Sequence, residues 1–201
     1  IGNRKVFLSD RQIILNSIKK KNFNLSKNLK INIFNERFDQ NVLSSKSAIN
    51  KASINSKRLK KNDIFFAIKG KKNDGNKFVG QAIQKKASIT VVNKIQKKLP
   101  RNKQATSINP LGLLTKTAKI FRKNISTNII AITGSCGKTS LKELLGNTLN
   151  KISKTTISPK SYNNKYGVPL SLFNLDQKNH YGVFELGMDK KGEIDSLSKI
   201  V

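Results

Sequence analysis

The sequence is poor in cysteine, histidine, aromatic residues and acidic residues. It contains one cysteine, Cys136, one histidine, His180, no tryptophan, and only 11 aspartates and glutamates among 201 residues. A single cysteine excludes an internal disulfide, and one cysteine with one histidine gives a zinc site little support. No apolar run approaches the length of a membrane span, so no membrane partner is expected. The lack of disulfides fits a reducing compartment, and we expect a cytoplasmic protein.

Positive charge is in large excess, since 40 lysines and arginines give a formal net charge of +29. Such a charge attracts acidic partners, among them nucleic acids. The lysines, however, accompany asparagine and isoleucine along the whole chain, and aromatic residues amount to only 6%. A nucleic-acid interface more often combines a basic stripe with interleaved aromatics. We therefore expect no nucleic acid as the main partner and keep a basic nucleic-acid-binding protein as a distant alternative.

Composition and hydrophobic periodicity divide the chain into four segments. Residues 1–24 contain a short apolar pattern at helical spacing, with Asp10 in the N-cap position. Residues 25–49 are rich in Asn, Ser and Lys, which predicts a linker. Residues 50–105 predict a small α/β domain, and residues 106–201 predict the first part of a larger, mostly parallel sheet flanked by helices. Both ends are expected to be cut points within a longer protein.

Strand and helix signals alternate through the first predicted domain. A strand over 62–70, a helix over 78–87 and a strand over 88–94 form a β-α-β unit. At the start of the second predicted domain, residues 109–124 predict a helix, because an asparagine cap is followed by proline in the first turn. Four apolar residues are expected to line one broad face of this helix: Leu113, Leu114, Ile120 and Phe121.

The second predicted domain continues the alternation. A buried strand over 127–135 is followed by a helix over 138–152, and a further strand is predicted over 180–187. Apolar residues of the helix recur at the spacing of a core-facing stripe: Leu141, Leu144, Leu145, Leu149 and Ile152.

The segment AITGSCGKTS connects the predicted strand to the predicted helix and has the pattern G-x-x-G-K-T. Gly134 and Gly137 let the backbone approach a phosphate closely, and the helix N-terminus favours an anion. Lys138 supplies a positive charge for the β- and γ-phosphates, and Thr139 offers a hydroxyl to Mg²⁺. We therefore predict an ATP-binding loop made of Gly134, Ser135, Cys136, Gly137, Lys138, Thr139 and Ser140.

A glutamate ends the last predicted strand. Glu185 follows the apolar run of HYGVFELG and precedes a glycine. Ligands of open α/β sheets bind beyond the carboxyl ends of strands, so a carboxylate there suits Mg²⁺. A solvated glutamate at a strand end is an equal alternative on the local pattern alone.

Three ordered segments, AITGSCGKTSLKELL, SYNNKYGVPLSL and VFELGMDKKGEI, resemble the Mur ligases of peptidoglycan synthesis. The upstream segment SINSKRLKKNDIFFAIKGKKNDGNKFV is similar to the N-terminal domain of that family, so the resemblance covers about residues 50–201. Within the family the segments are most similar to the ligases that add D-alanyl-D-alanine. Residues 1–24 resemble the C-terminal tail of the diaminopimelate-adding ligases, so that activity, or a fusion of two ligases, is the alternative.

The resemblance implies an ATP-dependent amide ligase with Mg²⁺ as cofactor. Its substrates would be UDP-N-acetylmuramoyl-tripeptide and D-alanyl-D-alanine, joined through an acyl phosphate. It also implies residue roles. Lys138 and Glu185 would be catalytic, Thr139 and Glu185 would bind the metal, and four residues would bind substrate: Ser56, Lys57, Asn163 and Asn164.

Several positions depart from the family pattern. Asn55 stands where aspartate is usual, Lys57 where arginine is usual, and Asn62 and Lys160 where glycine is common. Lysine cannot copy the bidentate guanidinium, so the contact with the uridine nucleotide is expected to differ. The later family elements are absent from the sequence, so the chain by itself is expected not to complete the reaction. A truncated sheet is also expected to leave an unpaired edge and poor solubility.

Overall fold

The computed structural model describes residues 50–70, 73–160 and 162–201. The helix predicted in residues 1–24 and the linker predicted over 25–49 lie outside the described residues. The described chain forms two parallel β-sheets with helices packed against them, which confirms the predicted α/β class. In this part of the chain no helix is both long and apolar enough to cross a membrane.

The first sheet has four parallel strands in the order in which they occur in the sequence. Its strands are β1 (Ala52–Ser53), β2 (Ile64–Phe66), β3 (Ile89–Val92) and β4 (Gln104–Thr106). A 3₁₀ turn (Gly75–Phe78) leads into helix α1 (Val79–Gln84), which connects β2 to β3, and a second 3₁₀ turn (Arg101–Lys103) precedes β4. The predicted β-α-β unit is therefore confirmed.

Both faces of the first sheet are covered by apolar side chains. Ile64 and Phe66 point into the main core, whereas Phe65 points into a smaller core that includes Val79 and Ala82 of α1. Every residue of β2 and β3 is buried. Strands covered on both faces appear in sequence as continuous apolar runs, which is why these two were readily predicted.

Helix α2 (Pro110–Lys123) begins as the sequence predicts. The Asn109 side chain accepts a hydrogen bond from the Gly112 N–H at 2.9 Å, and proline occupies the first turn. Leu114 and Phe121 are buried in the main core, as predicted. The predicted face is broader than the real one, because Leu113 and Ile120 are only partly buried.

The second sheet has three parallel strands in the order β5-β7-β6. These are β5 (Asn128–Ile132), β6 (Thr155–Ile157) and β7 (Tyr181–Glu185). The associated helices are α3 (Lys138–Ile152), α4 (Gly167–Phe173) and α5 (Glu193–Ser198). The last strand in sequence is thus the central strand in space. The sequence analysis predicted β5, α3 and β7 but not β6 or α4.

Strand β5 was predicted to be buried, and that prediction is wrong. Asn128 and Ala131 are exposed, Ile129 and Ile130 are partly buried, and Ile132 is buried. The physical reason is its position, because among the described residues only β7 pairs with β5. The strand therefore forms an edge of the described sheet, where apolar side chains are only partly covered.

The core-facing stripe predicted for α3 is also largely wrong. Three of its members are mainly exposed, at 51%, 67% and 78% of their surface: Leu141, Leu144 and Ile152. The other two, Leu145 and Leu149, are partly buried, and the buried residues of the helix are Lys142 and Gly146. A Cβ added at Gly146 would lie 2.5 Å from Cγ1 of Ile157 in β6. The helix turns this glycine to the sheet because no larger side chain allows so close an approach.

Side chains connect the two sheets. Phe66 of β2 meets Phe173 of α4 edge to face, with ring centroids 6.4 Å apart. Asn174, just after α4, accepts a hydrogen bond from the Ala52 N–H at 2.7 Å and donates one to the Ala52 carbonyl at 2.9 Å. The Asn174 side chain therefore satisfies both backbone groups of Ala52 in β1.

Candidate functional site

The order of the second sheet brings three chain segments to one place. In parallel strands the carboxyl ends share one edge of the sheet, and ligands bind beyond that edge. The glycine loop follows β5, the segment containing Asn163 follows β6, and Glu185 is the last residue of β7, which lies between the other two strands. The strand-end position predicted for Glu185 is therefore a meeting point of all three segments.

The glycine loop adopts backbone angles that favour glycine. Gly134 has φ of +147° and Gly137 has φ of +73°, both in the region that side chains rarely tolerate. Gly137 is the N-cap of α3, and no side chain caps the helix. The first N–H groups of a helix lack partners within the helix, so this terminus can receive an anion.

Lys138 folds back over the loop. Its ammonium donates to the carbonyls of Gly134 at 2.6 Å and Ser135 at 3.1 Å. The remaining predicted loop residues, Ser135, Cys136 and Ser140, are exposed. The loop therefore holds its only cation directly over its own backbone, where a phosphate oxygen can replace the two carbonyls as acceptor.

Glu185 is buried and held by two donors. Only 4% of its surface is exposed. The Thr139 hydroxyl donates to one carboxylate oxygen at 2.8 Å, and the Asn163 amide donates to the other at 2.9 Å. We name Thr139, Asn163 and Glu185 the carboxylate cluster. The solvated strand-end alternative does not describe this side chain.

Opposing effects set the ionisation of Glu185. Burial raises its pKa, but hydrogen bonds from Asn163 and Thr139 and the charges of Lys142 and Lys138 outweigh burial, so the pKa lies below the usual value. The carboxylate is therefore ionised at neutral pH despite its burial.

The donor set fits Mg²⁺. A carboxylate and a hydroxyl oxygen, 2.8 Å apart, are the hard oxygen ligands that this ion prefers. Among the described residues no group of three or more His, Cys, Asp or Glu side chains forms a cage for a metal. Mg²⁺ commonly binds through one or two protein ligands together with water and substrate phosphates, which is what this arrangement provides.

The two neighbouring asparagines have different contacts. Asn163 reaches Glu185 with its side chain, and its carbonyl accepts from the Gly187 N–H at 2.6 Å. The Asn164 side-chain oxygen accepts from the backbone N–H groups of Tyr166 and Gly167, each at 3.0 Å, where α4 begins. Asn163 thus belongs to the cluster, whereas the Asn164 oxygen shapes the turn before α4.

Ser56 and Lys57 lie after β1, in the first sheet. Ser56 is buried and its hydroxyl donates to the Gln81 side chain at 2.6 Å, while Lys57 is exposed. The Asn55 side-chain oxygen accepts from the Lys57 N–H at 2.9 Å. An aspartate would accept the same hydrogen bond, so the departure at Asn55 preserves the turn.

Asn62 departs from the family's usual glycine without disturbing the backbone. Its φ is +66°, a left-handed conformation that glycine adopts freely and asparagine tolerates better than most residues. The substitution therefore keeps the chain direction before β2.

Two residues beside the cluster were missed by the sequence analysis. Lys142 is completely buried, and its ammonium donates to the Ser158 carbonyl at 2.9 Å. It also lies 3.3 Å from Glu143 and 3.9 Å from Glu185. Ser158 in turn accepts from the Glu185 N–H at 3.3 Å. The available signal was that Lys142 follows Lys138 by four residues, which places both on one helix face.

Two family models match the chain in succession. The model described as Mur ligase family, catalytic domain, matches residues 48–126. The model described as Mur ligase middle domain matches residues 132–201. The second match starts at the last residue of β5 and includes the loop and the whole carboxylate cluster.

Two relatives similar in sequence carry the same name. The chain is 38% identical over 152 residues to the UDP-N-acetylmuramoyl-tripeptide--D-alanyl-D-alanine ligase of Buchnera aphidicola subsp. Acyrthosiphon pisum (strain APS), covering 76% of this chain and 33% of that protein. It is 27% identical over 178 residues to the enzyme of that name from Bacillus subtilis (strain 168), covering 88% of this chain and 38% of that protein.

Solved structures agree with the sequence relatives. The UDP-N-acetylmuramoylalanyl-D-glutamyl-2,6-diaminopimelate--D-alanyl-D-alanyl ligase of Acinetobacter baumannii superposes with a TM-score of 0.68 at 33% identity, covering 76% of this chain and 34% of that one. The MurF ligase of Thermotoga maritima in complex with ADP gives a TM-score of 0.65 at 27% identity, covering 82% of this chain and 36% of that one.

The chain spans about a third of the length of these relatives. Within that third, the two domain models follow one another from the first sheet to the second and account for all but the N-terminal segment and a short gap after α2. The chain therefore belongs to the Mur ligase family.

Proposed function

We propose that the protein containing this chain is an ATP-dependent amide ligase that adds D-alanyl-D-alanine to UDP-N-acetylmuramoyl-tripeptide. The observation that carries the proposal is that Glu185, at the end of β7, accepts a hydrogen bond at 2.8 Å from Thr139 of the G-x-x-G-K-T loop. Its support is the shared name of the sequence relatives. The diaminopimelate-adding alternative is not favoured, because these relatives act on the tripeptide by name.

The phosphate side of the reaction is assigned to the second sheet. In this proposal the loop Gly134–Ser140 binds ATP, as the relative crystallised with ADP suggests. Lys138 leaves its two backbone carbonyls and pairs with the β- and γ-phosphates. Thr139 and Glu185 would hold Mg²⁺, which when bound would offset the negative charge of the phosphate oxygens. Asn163 keeps the Glu185 carboxylate oriented through its 2.9 Å hydrogen bond.

The proposed chemistry has two steps. A carboxylate oxygen of the tripeptide attacks the γ-phosphorus, the bond from that phosphorus to the β–γ bridging oxygen breaks, and ADP leaves. The dipeptide amine then attacks the acyl carbon, the carbon–oxygen bond to phosphate breaks, and the amine loses a proton. Two anions meet in the first step, so the cations of the loop are needed between them.

The remaining assignments are proposals on the same basis. Residues 50–105 would hold the UDP part of the substrate with Ser56 and Lys57, and residues 106–201 would bind ATP. Asn164 would act by holding its turn beside the substrate. A reaction that consumes ATP and a UDP-linked substrate agrees with the cytoplasmic location predicted above.

Nucleotide binding by the chain itself is the first test. Titration calorimetry with Mg-ADP would compare the unmodified chain with Lys138→Ala and with Lys151→Ala, an exposed lysine in the last turn of the same helix. Loss of a charged hydrogen-bonding group is expected to weaken binding about 10- to 100-fold at Lys138 and not at Lys151. Equal affinities for all three proteins would contradict the assignment of the loop.

Substrate choice requires the longer protein. Phosphate release would be followed with UDP-N-acetylmuramoyl-tripeptide, Mg-ATP and D-alanyl-D-alanine. Release that requires the dipeptide and disappears in Lys138→Ala is the expected result. Release with diaminopimelate and the dipeptide precursor instead would transfer the assignment to the alternative ligase.

A further inference from the structure

Lys142 is a completely buried lysine on the helix that follows the phosphate loop. None of its surface is exposed, although lysine is almost never fully buried unless it is paired. It takes no part in the phosphate-binding roles assigned above. Its surroundings therefore require an explanation of their own.

The ammonium of Lys142 connects three elements. It lies on the second turn of α3, donates to the Ser158 carbonyl just after β6 at 2.9 Å, and lies 3.9 Å from the Glu185 carboxylate at the end of β7. Ser158 completes the connection, because its hydroxyl accepts from the Glu185 N–H at 3.3 Å and its own N–H donates to the Val183 carbonyl at 2.9 Å. One side chain thus connects the helix carrying Thr139 to the strand carrying Glu185.

Stability alone does not account for a lysine in this position. Buried ion pairs contribute little net stability, and apolar residues of similar volume often replace them without loss. Helix α3 already packs closely against β6 through Gly146. The feature that an apolar side chain could not supply is the fixed hydrogen bond to Ser158 beside the carboxylate.

We propose that Lys142 is a positioning residue for the metal site. Its contacts fix the position of α3 relative to the carboxyl ends of β6 and β7. They thereby set the distance between the Thr139 hydroxyl and the Glu185 carboxylate. The inference rests on the proposed function, since these two groups are the proposed Mg²⁺ ligands. Partners that orient metal ligands typically change metal affinity 10- to 100-fold when they are removed.

The distances in the site agree with an indirect role. Thr139 and Asn163 donate hydrogen bonds to the Glu185 carboxylate at 2.8 and 2.9 Å. The Lys142 ammonium lies 3.9 Å from that carboxylate and donates instead to the Ser158 carbonyl. Glu143, which is partly exposed, lies 3.3 Å from the same ammonium. Lys142 therefore orients the site without occupying the oxygen positions that a metal ion needs.

The test separates metal-dependent from metal-independent nucleotide binding. The dissociation constant for ADP would be measured for the chain with excess Mg²⁺ and with EDTA, and Mn²⁺ binding would be followed by electron paramagnetic resonance. The gain from Mg²⁺ is defined as the ratio of the ADP dissociation constant in EDTA to that in excess Mg²⁺. Lys142→Met keeps the side-chain length but loses the charge and the hydrogen-bond donor, and in this variant the gain is expected to fall about tenfold or more. Affinity in EDTA is expected to change less than about twofold, because the loop itself is intact.

Two further variants control for charge and packing. Lys151→Met makes the same chemical change at an exposed site on the same helix, and the gain from Mg²⁺ is expected to be unchanged. Lys142→Arg keeps a charged donor and is expected to retain most of the gain. Should the Met variant fail to fold, Lys142→Gln replaces it with the same expectation, because its shorter side chain carries no charge.

The outcomes are distinct. A lower melting temperature in Lys142→Met with an unchanged gain from Mg²⁺ would mean that the residue is only structural and would overturn the inference. Equal losses in the Met and Arg variants would assign the effect to packing and would also overturn it. If the unmodified chain binds no ADP, the assignment of the loop as the nucleotide site fails, and this inference fails with it.

Discussion

The two sheets of this chain differ in which side chains are buried against them. Strands β2 and β3 of the first sheet are buried throughout, between two apolar cores. In the second sheet β5 is half exposed, and α3 turns Lys142 and Gly146 inward while Leu141 and Leu144 face outward. In the first sheet, the pattern of apolar residues in the sequence therefore predicts correctly which residues are buried. In the second sheet the same pattern predicts the wrong face of α3, because polar groups of the site are buried there.

The largest expected effect comes from the core that the two sheets share. Phe66 is completely buried and meets Phe173 edge to face. Phe66→Ala is expected to lower the free energy of unfolding by about 3–5 kcal/mol, because a buried aromatic is lost and a cavity remains. Urea denaturation measures the change. A loss below 1 kcal/mol would mean that the two sheets do not share this core in solution.

The next effect tests the connection between β1 and α4. Asn174→Ala removes both hydrogen bonds to Ala52 and is expected to cost about 1–3 kcal/mol in urea denaturation. Asn124 is a matched control, because it also follows a helix, but its side chain donates to the Ile120 carbonyl of its own helix rather than across to the other sheet. Equal decreases in the free energy of unfolding for Asn124→Ala and Asn174→Ala would mean that the contact between the two sheets contributes no more than a contact within one helix.

A pair of glycine substitutions is expected to give opposite signs. In helix α1 a Cβ at Gly80 would have ordinary contact, 3.7 Å from Leu99, so Gly80→Ala should stabilise the protein by about 0.5–1 kcal/mol through helix propensity. Gly146→Ala in α3 forces a Cβ against Ile157 and is expected to destabilise by about 1 kcal/mol, because overpacking outweighs propensity. Thermal unfolding of the two variants side by side checks the prediction; stabilisation by both would show that α3 can move away from β6.

The smallest effect is expected on the outer face of α3. Leu144 is 67% exposed, so Leu144→Gln should change the free energy of unfolding by less than about 0.5 kcal/mol. Its visible consequence is higher solubility, because an apolar surface residue is removed. Precipitation in ammonium sulfate and urea denaturation together measure both. A decrease of about 2 kcal/mol or more in the free energy of unfolding would mean that Leu144 is buried in the core.

The success of sequence-based prediction follows the same division. The strands β2 and β3, the Asn109 cap of α2 and the loop with Glu185 were predicted from local signals that the structure retains. The inward face of α3 was not, because a glycine chosen for close approach and a lysine paired with a distant carbonyl carry no local apolar signal.

The site residues show the same limit. Thr139 was proposed as a metal ligand from the loop motif, and Glu185 from its strand-end position together with the family resemblance. Their contact spans 46 residues and depends on the strand order β5-β7-β6. Strand β6 has only three residues, all partly buried, and gave no clear alternation. The place of Ser158 between Lys142 and Glu185 therefore could not be read from spacing.

The strand order of the second sheet also dictates when the site can assemble. Strand β7 is the last of the three to be synthesised, yet it must enter between β5 and β6, which have no pairing with each other. Every contact of Glu185 with Thr139 and Asn163 waits for that insertion. Contacts distant in sequence form slowly because loop closure comes first. A chain emerging from the ribosome thus acquires its glycine loop early, whereas the carboxylate cluster forms only after residue 185 has been added. If the cluster binds Mg²⁺ as proposed, metal-dependent nucleotide binding would report the completion of the second sheet.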